Sequence, residues 1–154
     1  MEPLTIVGAF CFMLWLSFAF AKVEIAIEGG HGWAELLPTW RLPAHHWASM
    51  MFTGGRPLTG YHMWINIFIL SSLHFLFLFI DYSVKTELFL ISFYMAFLVC
   101  EDFIWFVVNP AFGITKFHPK YIWWHKDHWW IFMPRDYYVL MSLSAVLYYT
   151  SLHI

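Results

Sequence analysis

Residues 98–106 read LVCEDFIWF, a stretch that places two adjacent acids, Glu101 and Asp102, inside a strongly apolar run. A helix of about 20 apolar residues spans the core of a bilayer, and residues 86–108 around this stretch have that length and character. A charged side chain costs about 2.5–3.5 kcal/mol at the centre of a membrane and less toward its surface. The stretch therefore predicts a transmembrane helix and, beside it, a group that compensates the two acids.

The composition of the whole chain also indicates a membrane location. The chain has 154 residues, of which 61% are hydrophobic and 12% are charged. A soluble domain of this length has no core large enough to hide so much apolar surface. The net charge is -2 at pH 7 and no long basic run occurs, so nothing indicates a nucleic-acid partner. We expect an integral protein of the inner or plasma membrane if the source is bacterial or archaeal.

Four stretches are long and apolar enough to be transmembrane helices, and they are expected to form one domain over residues 1–154. They lie near residues 3–28, 61–81, 86–108 and 136–154. Ala19-Phe20-Ala21 imitates a signal-peptide cleavage site, but the segment before it carries Glu2 and no basic residue, so we interpret the first stretch as a permanent span. The predicted fold class is an all-α integral membrane protein with four transmembrane helices.

Two long segments, residues 29–60 and 109–135, lie on the same face of this topology. Both are rich in histidine and tryptophan, the tryptophans being Trp33, Trp40, Trp47, Trp123, Trp124, Trp129 and Trp130. Because indole rings favour the headgroup level, we expect both segments to lie along the membrane interface as short helices and turns. Six of the eight basic residues belong to these segments, and the positive-inside rule then makes the segments cytoplasmic.

Most of the acids and histidines converge on this cytoplasmic end. Glu24 and Glu28 share one face of the first helix near its end, because a spacing of four residues is close to one helical turn. His62 opens the second span on the same side. The third span returns to this side, which places Glu101 and Asp102 about 10 Å inside its end. The sequence therefore predicts one layer of polar groups at one end of the bundle.

Carboxylates and imidazoles together are the usual ligands of iron and zinc, so this layer predicts a metal site. Glu28 and His31 have the Glu-x-x-His spacing of di-iron carboxylate bundles, provided that the helix continues through Gly29-Gly30. His125 and His128 lie three residues apart. The predicted ligands of an iron or zinc ion, or of two ions, are Glu24, Glu28, His31, His62, Glu101, Asp102, His125 and His128. Asp127 is predicted to accept the spare N–H of a ligand histidine.

Two other interpretations use no metal. Lys22 lies at nearly the depth of Asp102 and is a candidate ion-pair partner across the bundle. Asp136 precedes an apolar span and is interpreted as a helix N-cap rather than a ligand. One lysine does not neutralise four acids, so these interpretations account for part of the layer only.

The histidines at the cytoplasmic helix ends resemble the arrangement in membrane-bound fatty-acid desaturases and hydroxylases, whose HxxH and HxxHH boxes hold two irons. The resemblance covers His125–His128 and Glu28–His31 and concerns shared chemistry rather than family membership. This chain has one HxxH motif, and its His45-His46 pair stands apart from it. The resemblance implies a histidine-bound metal site at the helix ends, and a lipid substrate is expected because an acyl chain could enter sideways between spans at this depth.

We therefore expect a small membrane-embedded metalloenzyme that acts on a lipid or another hydrophobic substrate. Iron would imply a non-haem oxidoreductase, and zinc would imply a lipid-modifying enzyme that uses an activated water. Two alternatives stay open at the level of sequence, namely a cofactor-free accessory subunit of a membrane complex and a proton or cation transport subunit. A homo-oligomer or a larger complex is compatible with each of these functions.

Overall fold

The computed structural model describes the backbone of residues 3–154 and the side chains of residues 5–154, so Glu2 lies outside the described residues. The fold is mostly helical. The helices are α1 (Pro3–Glu28), α2 (Trp47–Phe52), α3 (Gly60–His74), α4 (Val84–Val108) and α5 (Arg135–His153). A 3₁₀ turn at Phe75–Leu78 extends α3.

Three helical segments are long and apolar enough to cross a membrane, namely Thr5–Glu28, Gly60–Leu78 and Val84–Val108. They correspond to the first three predicted spans and indicate a membrane location. Helix α5 occupies the position of the fourth prediction and has 19 residues. It is less apolar than the others, because serines, tyrosines and the charged pair Arg135-Asp136 interrupt its hydrophobic residues. A fourth span therefore stays a prediction, as does the side of the membrane on which the long segments lie.

Helix α4 is the centre of the bundle, with α1 and α5 packed along it. Two serines join α4 to α5, since Ser92 Oγ donates to the Ser144 carbonyl at 2.9 Å and Ser144 Oγ donates to the Ser92 carbonyl at 2.8 Å. Ile69 of α3 packs with Met13 of α1 and Phe97 of α4. These contacts bring the end of α1, the start of α3, the end of α4 and the start of α5 to the same end of the molecule.

The two long segments fold into short elements, as predicted, and they also form two strand pairs that the sequence did not predict. Strand β1 (Arg41–Leu42) pairs antiparallel with β2 (Leu58–Thr59), and β3 (Trp129–Trp130) pairs with β4 (Met133–Pro134). Strands of two residues are too short to show the alternation that marks a strand in a sequence. The β1–β2 pair fixes the first segment against the start of α3.

An aromatic cluster holds both segments on the ends of α1 and α4. Its buried members are Ala21, Trp33, Trp105, Phe106, Ile122 and Trp124. Trp33 and Trp124 were predicted to lie in an interfacial belt, whereas the structure buries both of them inside the protein. Trp40, Trp47, Trp123 and Trp130 are exposed, as an interfacial position requires. The buried tryptophans therefore form the cover of the polar end of the bundle.

Candidate functional site

Four helices and the two long segments contribute to one group of polar side chains, which we call the polar layer. Helix α1 supplies two glutamates, α3 a tyrosine and a histidine, α4 two acids, α5 an aspartate and a tyrosine, and the long segments an arginine and a histidine. The layer consists of Glu24, Glu28, Arg56, Tyr61, His62, Glu101, Asp102, His125, Asp136 and Tyr137. The convergence of acids and histidines predicted from the sequence is thus present at this end of the bundle.

Asp102 connects α4 to α5 and to the second long segment. Its Oδ2 atom accepts a hydrogen bond from the Tyr137 hydroxyl at 2.5 Å. The same oxygen lies 3.4 Å from His125 Nε2. A short bond from a phenol to a carboxylate is characteristic of a charge-assisted hydrogen bond. Asp102 is therefore a fixed acceptor in the layer.

Arg56 is the cation that faces these acids. Its Nη2 atom donates to Asp136 Oδ2 at 2.8 Å, and its Nη1 atom lies 3.4 Å from both ring nitrogens of His125. The guanidinium carbon lies 4.3 Å from the centroid of the Trp33 ring, a cation–π geometry. Burial lowers the pKa of Arg56, and the nearby carboxylates of Asp136 and Asp102 oppose that effect. An arginine stays protonated under such conditions, so the layer holds one permanent positive charge at its centre.

His125 is held as a neutral ring between this cation and Asp102. Only 1% of the residue is exposed. Burial is the main cause that lowers the pKa of His125, and the Asp102 carboxylate opposes it. A neutral imidazole has one donor and one acceptor nitrogen. The geometry fits Nε2–H donating to Asp102 while the Arg56 guanidinium approaches the other nitrogen.

The two glutamates of α1 have different partners. Glu28 Oε1 accepts the backbone N–H of Ala34 at 2.5 Å. To make this bond the chain places Trp33 and Ala34 at φ of 49° and 51°, a conformation that costs about 1–2 kcal/mol per residue. Glu24 Oε1 accepts one bond, from the Tyr61 hydroxyl at 3.3 Å. The backbone thus folds around Glu28, whereas Glu24 has a single side-chain partner.

Glu101 is the acid in the layer with an unused oxygen. It is 7% exposed, and its Oε1 atom has no hydrogen-bond partner among the described residues. Glu24, Asp102 and Glu28 are its electrostatic neighbours, all of them acids. The buried indole nitrogen of Trp105, one helical turn further along α4, likewise has no partner within residues 5–154. A buried carboxyl oxygen without a partner costs about 1–3 kcal/mol or more, which makes this position a candidate for chemistry.

The Glu-x-x-His interpretation is wrong, because α1 ends at Glu28. Gly29 follows at φ 67°, in the left-handed region that stops a helix. His31 therefore leaves the face of Glu28 and is exposed, with its Nδ1 atom 3.8 Å from Glu35 Oε2. The helical spacing that suggested His31 as a ligand is therefore absent.

The two other predicted histidine ligands, His62 and His128, have different surroundings. His62 Nδ1 lies 2.7 Å from Thr59 Oγ1, and its ring stacks on Trp33 at 4.2 Å between centroids. His128 is half-buried beside Gly55, in a 3₁₀ turn with His125. Asp127 is exposed, and the carboxylate beside His125 is Asp102 rather than Asp127.

Two further assignments are corrected by the geometry. Lys22 is exposed and makes no ion pair with Asp102, whose partner among the described residues is His125. The N-cap of α5 is Pro134, and Asp136 lies in the first turn, where it binds Arg56. A carboxylate in the first turn also interacts favourably with the helix dipole.

The sequence analysis missed Arg56, Tyr61 and Tyr137 as members of the site. Arg56 had one usable signal, since it was a basic residue five positions before the predicted second span and on the face of the acids. Across residues 5–154, no three His, Cys, Asp or Glu side chains are grouped in a way that could hold a metal ion. No family model, curated protein or solved structure matches the chain.

Proposed function

We propose that this protein is a small membrane-embedded enzyme that acts on a lipid or another hydrophobic substrate, with Glu24 and Glu101 as its acid–base pair. The observation that carries this proposal is the buried, unpartnered oxygen of Glu101 among neighbouring acids. In an ion-pair network with a purely structural role, each buried polar atom has a hydrogen-bond or ion-pair partner. An unsatisfied carboxyl in such a network is typical of a site where a reacting group binds.

The charge balance of the layer singles out this pair. Asp102 has Tyr137 and His125 as partners, and Asp136 has Arg56. Glu28 has the backbone N–H of Ala34.

Glu24 and Glu101 have no cation within ion-pair distance in the described part of the chain. Two neighbouring buried carboxyls without a cation cannot both carry a charge at low cost, so we propose that they share a proton. One member then serves as an acid while the other serves as a base.

Arg56, His125 and Asp102 have a supporting role in this proposal. They are linked to one another and to α5, and through Asp102 they fix the residue next to Glu101 on α4. Asp102, which is an electrostatic neighbour of both Glu24 and Glu101, is itself held in place by His125 and Tyr137. In a site of low dielectric constant such fixed groups stabilise developing charge more than water does. The positive-inside rule places this chemistry on the cytoplasmic side of the membrane in our proposal.

A comparison of lipid extracts tests the proposed activity. Cells that express the wild-type chain, Glu101→Gln or Glu87→Gln are extracted, and the lipids are compared by mass spectrometry. Glu87 is the matched control, because it lies on α4 but is bound to His74 at 3.0 Å outside the polar layer. We expect a lipid change with the wild type and with Glu87→Gln that falls by about 10²-fold in Glu101→Gln, the usual contribution of one acid–base group.

Two results of this comparison would contradict the proposal, one for the activity and one for the role of Glu101. If all three proteins reach the membrane in equal amount and give the same lipid profile as cells without them, the proposed activity is wrong. If Glu101→Gln changes lipids as much as the wild type does, the proposed enzyme activity stands, but the assignment of Glu101 to the acid–base pair is wrong.

In a second candidate, a metal-assisted enzyme, a divalent ion would bind the open oxygen of Glu101 in place of the shared proton, and water or substrate would have to complete its ligands, because residues 5–154 contain no group of three protein ligands. Carboxylate ligands without histidine favour Mg²⁺ or Mn²⁺ over the iron or zinc expected from the sequence. Elemental analysis of the purified protein decides between the two candidates. Stoichiometric metal in the wild type and Glu87→Gln but not in Glu101→Gln supports the ion, and a metal-free preparation that still changes lipids supports the proton.

A further inference from the structure

An open groove lies beside the polar layer, between the first long segment and the start of α3. Its volume is about 580 Å³, within the range of small-molecule sites. The side chains along it are mostly apolar and include Leu37, Pro38, Trp40, Tyr61, Trp64 and Ile65. Its size and lining suit one hydrocarbon chain.

The wall of the groove is fixed by backbone contacts at the first residues of α3. The N–H of Gly60 donates to the Trp40 carbonyl at 3.0 Å, and the N–H of Tyr61 donates to Thr39 Oγ1 at 3.0 Å. Gly60 is needed here, because a Cβ atom at this position would lie 2.5 Å from Trp40 Nε1. The close approach of Trp40 to the helix therefore depends on a residue without a side chain.

The outer side of the groove faces the surroundings of the bundle. Trp40 and Trp64 are 44% and 62% exposed, and α3 belongs to a segment apolar enough to cross a membrane. In a bilayer this opening meets acyl chains near the interface, where tryptophan is favoured. A lipid chain can thus enter sideways without passing through water.

The inner end of the groove is polar. Tyr61 lines the groove and donates its hydroxyl to Glu24. A lipid whose chain fills the groove therefore places its head beside one member of the carboxyl pair. The acids Glu24, Glu28 and Glu101 repel a phosphate at this position, whereas the uncharged hydroxyl of an alcohol can donate to the Tyr61 oxygen, whose own proton is directed to Glu24.

We propose that this groove is the substrate site and that it binds a long-chain lipid with an uncharged oxygen head group, such as an alcohol, hydrogen-bonded to Tyr61. The proposal rests on the proposed function, since it names the substrate class of the same site. It also excludes phospholipids as substrates of this groove.

Photolabelling tests the proposal with a defined probe, hexadecanol that carries a diazirine in its chain. The full-length protein in nanodiscs is labelled, and the modified residues are located by mass spectrometry. We expect labels on residues 37–40 and 61–65, suppressed by excess hexadecanol and not by excess phosphatidylglycerol. Gly60→Ala displaces Trp40 and is expected to reduce the labelling about tenfold, which corresponds to about 1.4 kcal/mol of binding.

Two matched controls accompany these variants. Gly8→Ala adds a methyl group at a helical glycine with nothing within 4 Å, and it is expected to label as the wild type does. If Gly60→Ala does not fold, Trp64→Ala replaces it, compared with Trp15→Ala, which is 64% exposed on α1. Loss of labelling in Trp64→Ala but not in Trp15→Ala supports the groove as the binding site.

Labels spread evenly over the lipid-facing helices, with no effect of Gly60→Ala or Trp64→Ala, would overturn the groove as a binding site. Specific labelling without any lipid conversion would keep the groove and overturn the proposed enzyme. Lipid conversion with evenly spread labels would keep the enzyme and overturn the groove. The two proposals therefore fail separately.

Discussion

Arg56 shows how one residue can determine the state of a whole polar layer. It lies between Trp33, His125 and Asp136, and its side chain is 13% exposed. The charge of a buried arginine is stabilised only while its partners are in place, and the same holds for the carboxylates around it. Arg56 therefore balances Asp102 and Asp136 but leaves Glu24 and Glu101 without a cation.

Removal of Arg56 is predicted to destabilise the protein strongly. Arg56→Gln leaves a buried carboxylate without its 2.8 Å partner, and we expect a loss of about 3–5 kcal/mol in the free energy of unfolding. Arg135→Gln is the matched control, because Arg135 lies 3.4 Å from the same aspartate but is 33% exposed, and its loss is expected to be about 1 kcal/mol. Unfolding in mixed detergent micelles measures both values, and equal losses would contradict the central role of Arg56.

Among the secondary-structure elements, the positions of the apolar spans could be predicted from the sequence, but the residues at which the helices end could not. Long apolar runs gave the positions of α1, α3 and α4, because about 20 apolar residues in sequence have one stable arrangement in a bilayer. The end of α1 depends on Gly29, which has a left-handed backbone conformation. The hydrophobic periodicity of the sequence does not reveal this conformation. That single residue decided whether His31 could share a face with Glu28. The two strand pairs also depended on contacts between distant residues, which a local pattern does not contain.

The contact of α4 with α5 gives a prediction at this scale. Ser92 and Ser144 exchange hydrogen bonds between their hydroxyls and each other's carbonyls. Ser144→Ala is expected to lower the free energy of unfolding by about 0.6–1.7 kcal/mol, the range for such bonds between membrane helices. Ser142→Ala, at an exposed position on the same helix, is expected to change it by less than about 0.5 kcal/mol.

A double-mutant cycle completes the test of the serine pair. Ser92→Ala and Ser144→Ala share the same bonds, so their combined effect is expected to be smaller than the sum by about 0.5 kcal/mol or more. Strict additivity would show that the two hydroxyls do not act together, and α5 would then be held by apolar packing alone.

For the molecule as a whole, the sequence predicted where the polar groups meet but not how they are paired. Depth along each helix placed Glu24, Glu28, Glu101 and Asp102 at one end, and the structure confirms that convergence. Which side chains pair depends on how the helices are rotated and on where the long segments lie. In the structure, Asp102 pairs with Tyr137 and His125 instead of Lys22. The site is therefore a property of the assembled bundle, in which the long segments supply the cation and the groove.

Reconstitution of the purified protein tests the central claim most directly. Wild type, Glu24→Gln and Glu101→Gln are placed in liposomes made from the lipid extract of the expressing cells, and lipid composition is followed over time by mass spectrometry. We expect the wild type to convert a long-chain lipid with an uncharged oxygen head group, and each variant to slow the conversion by about 10²-fold or more. No conversion by the wild type, or equal conversion by all three proteins, would contradict it.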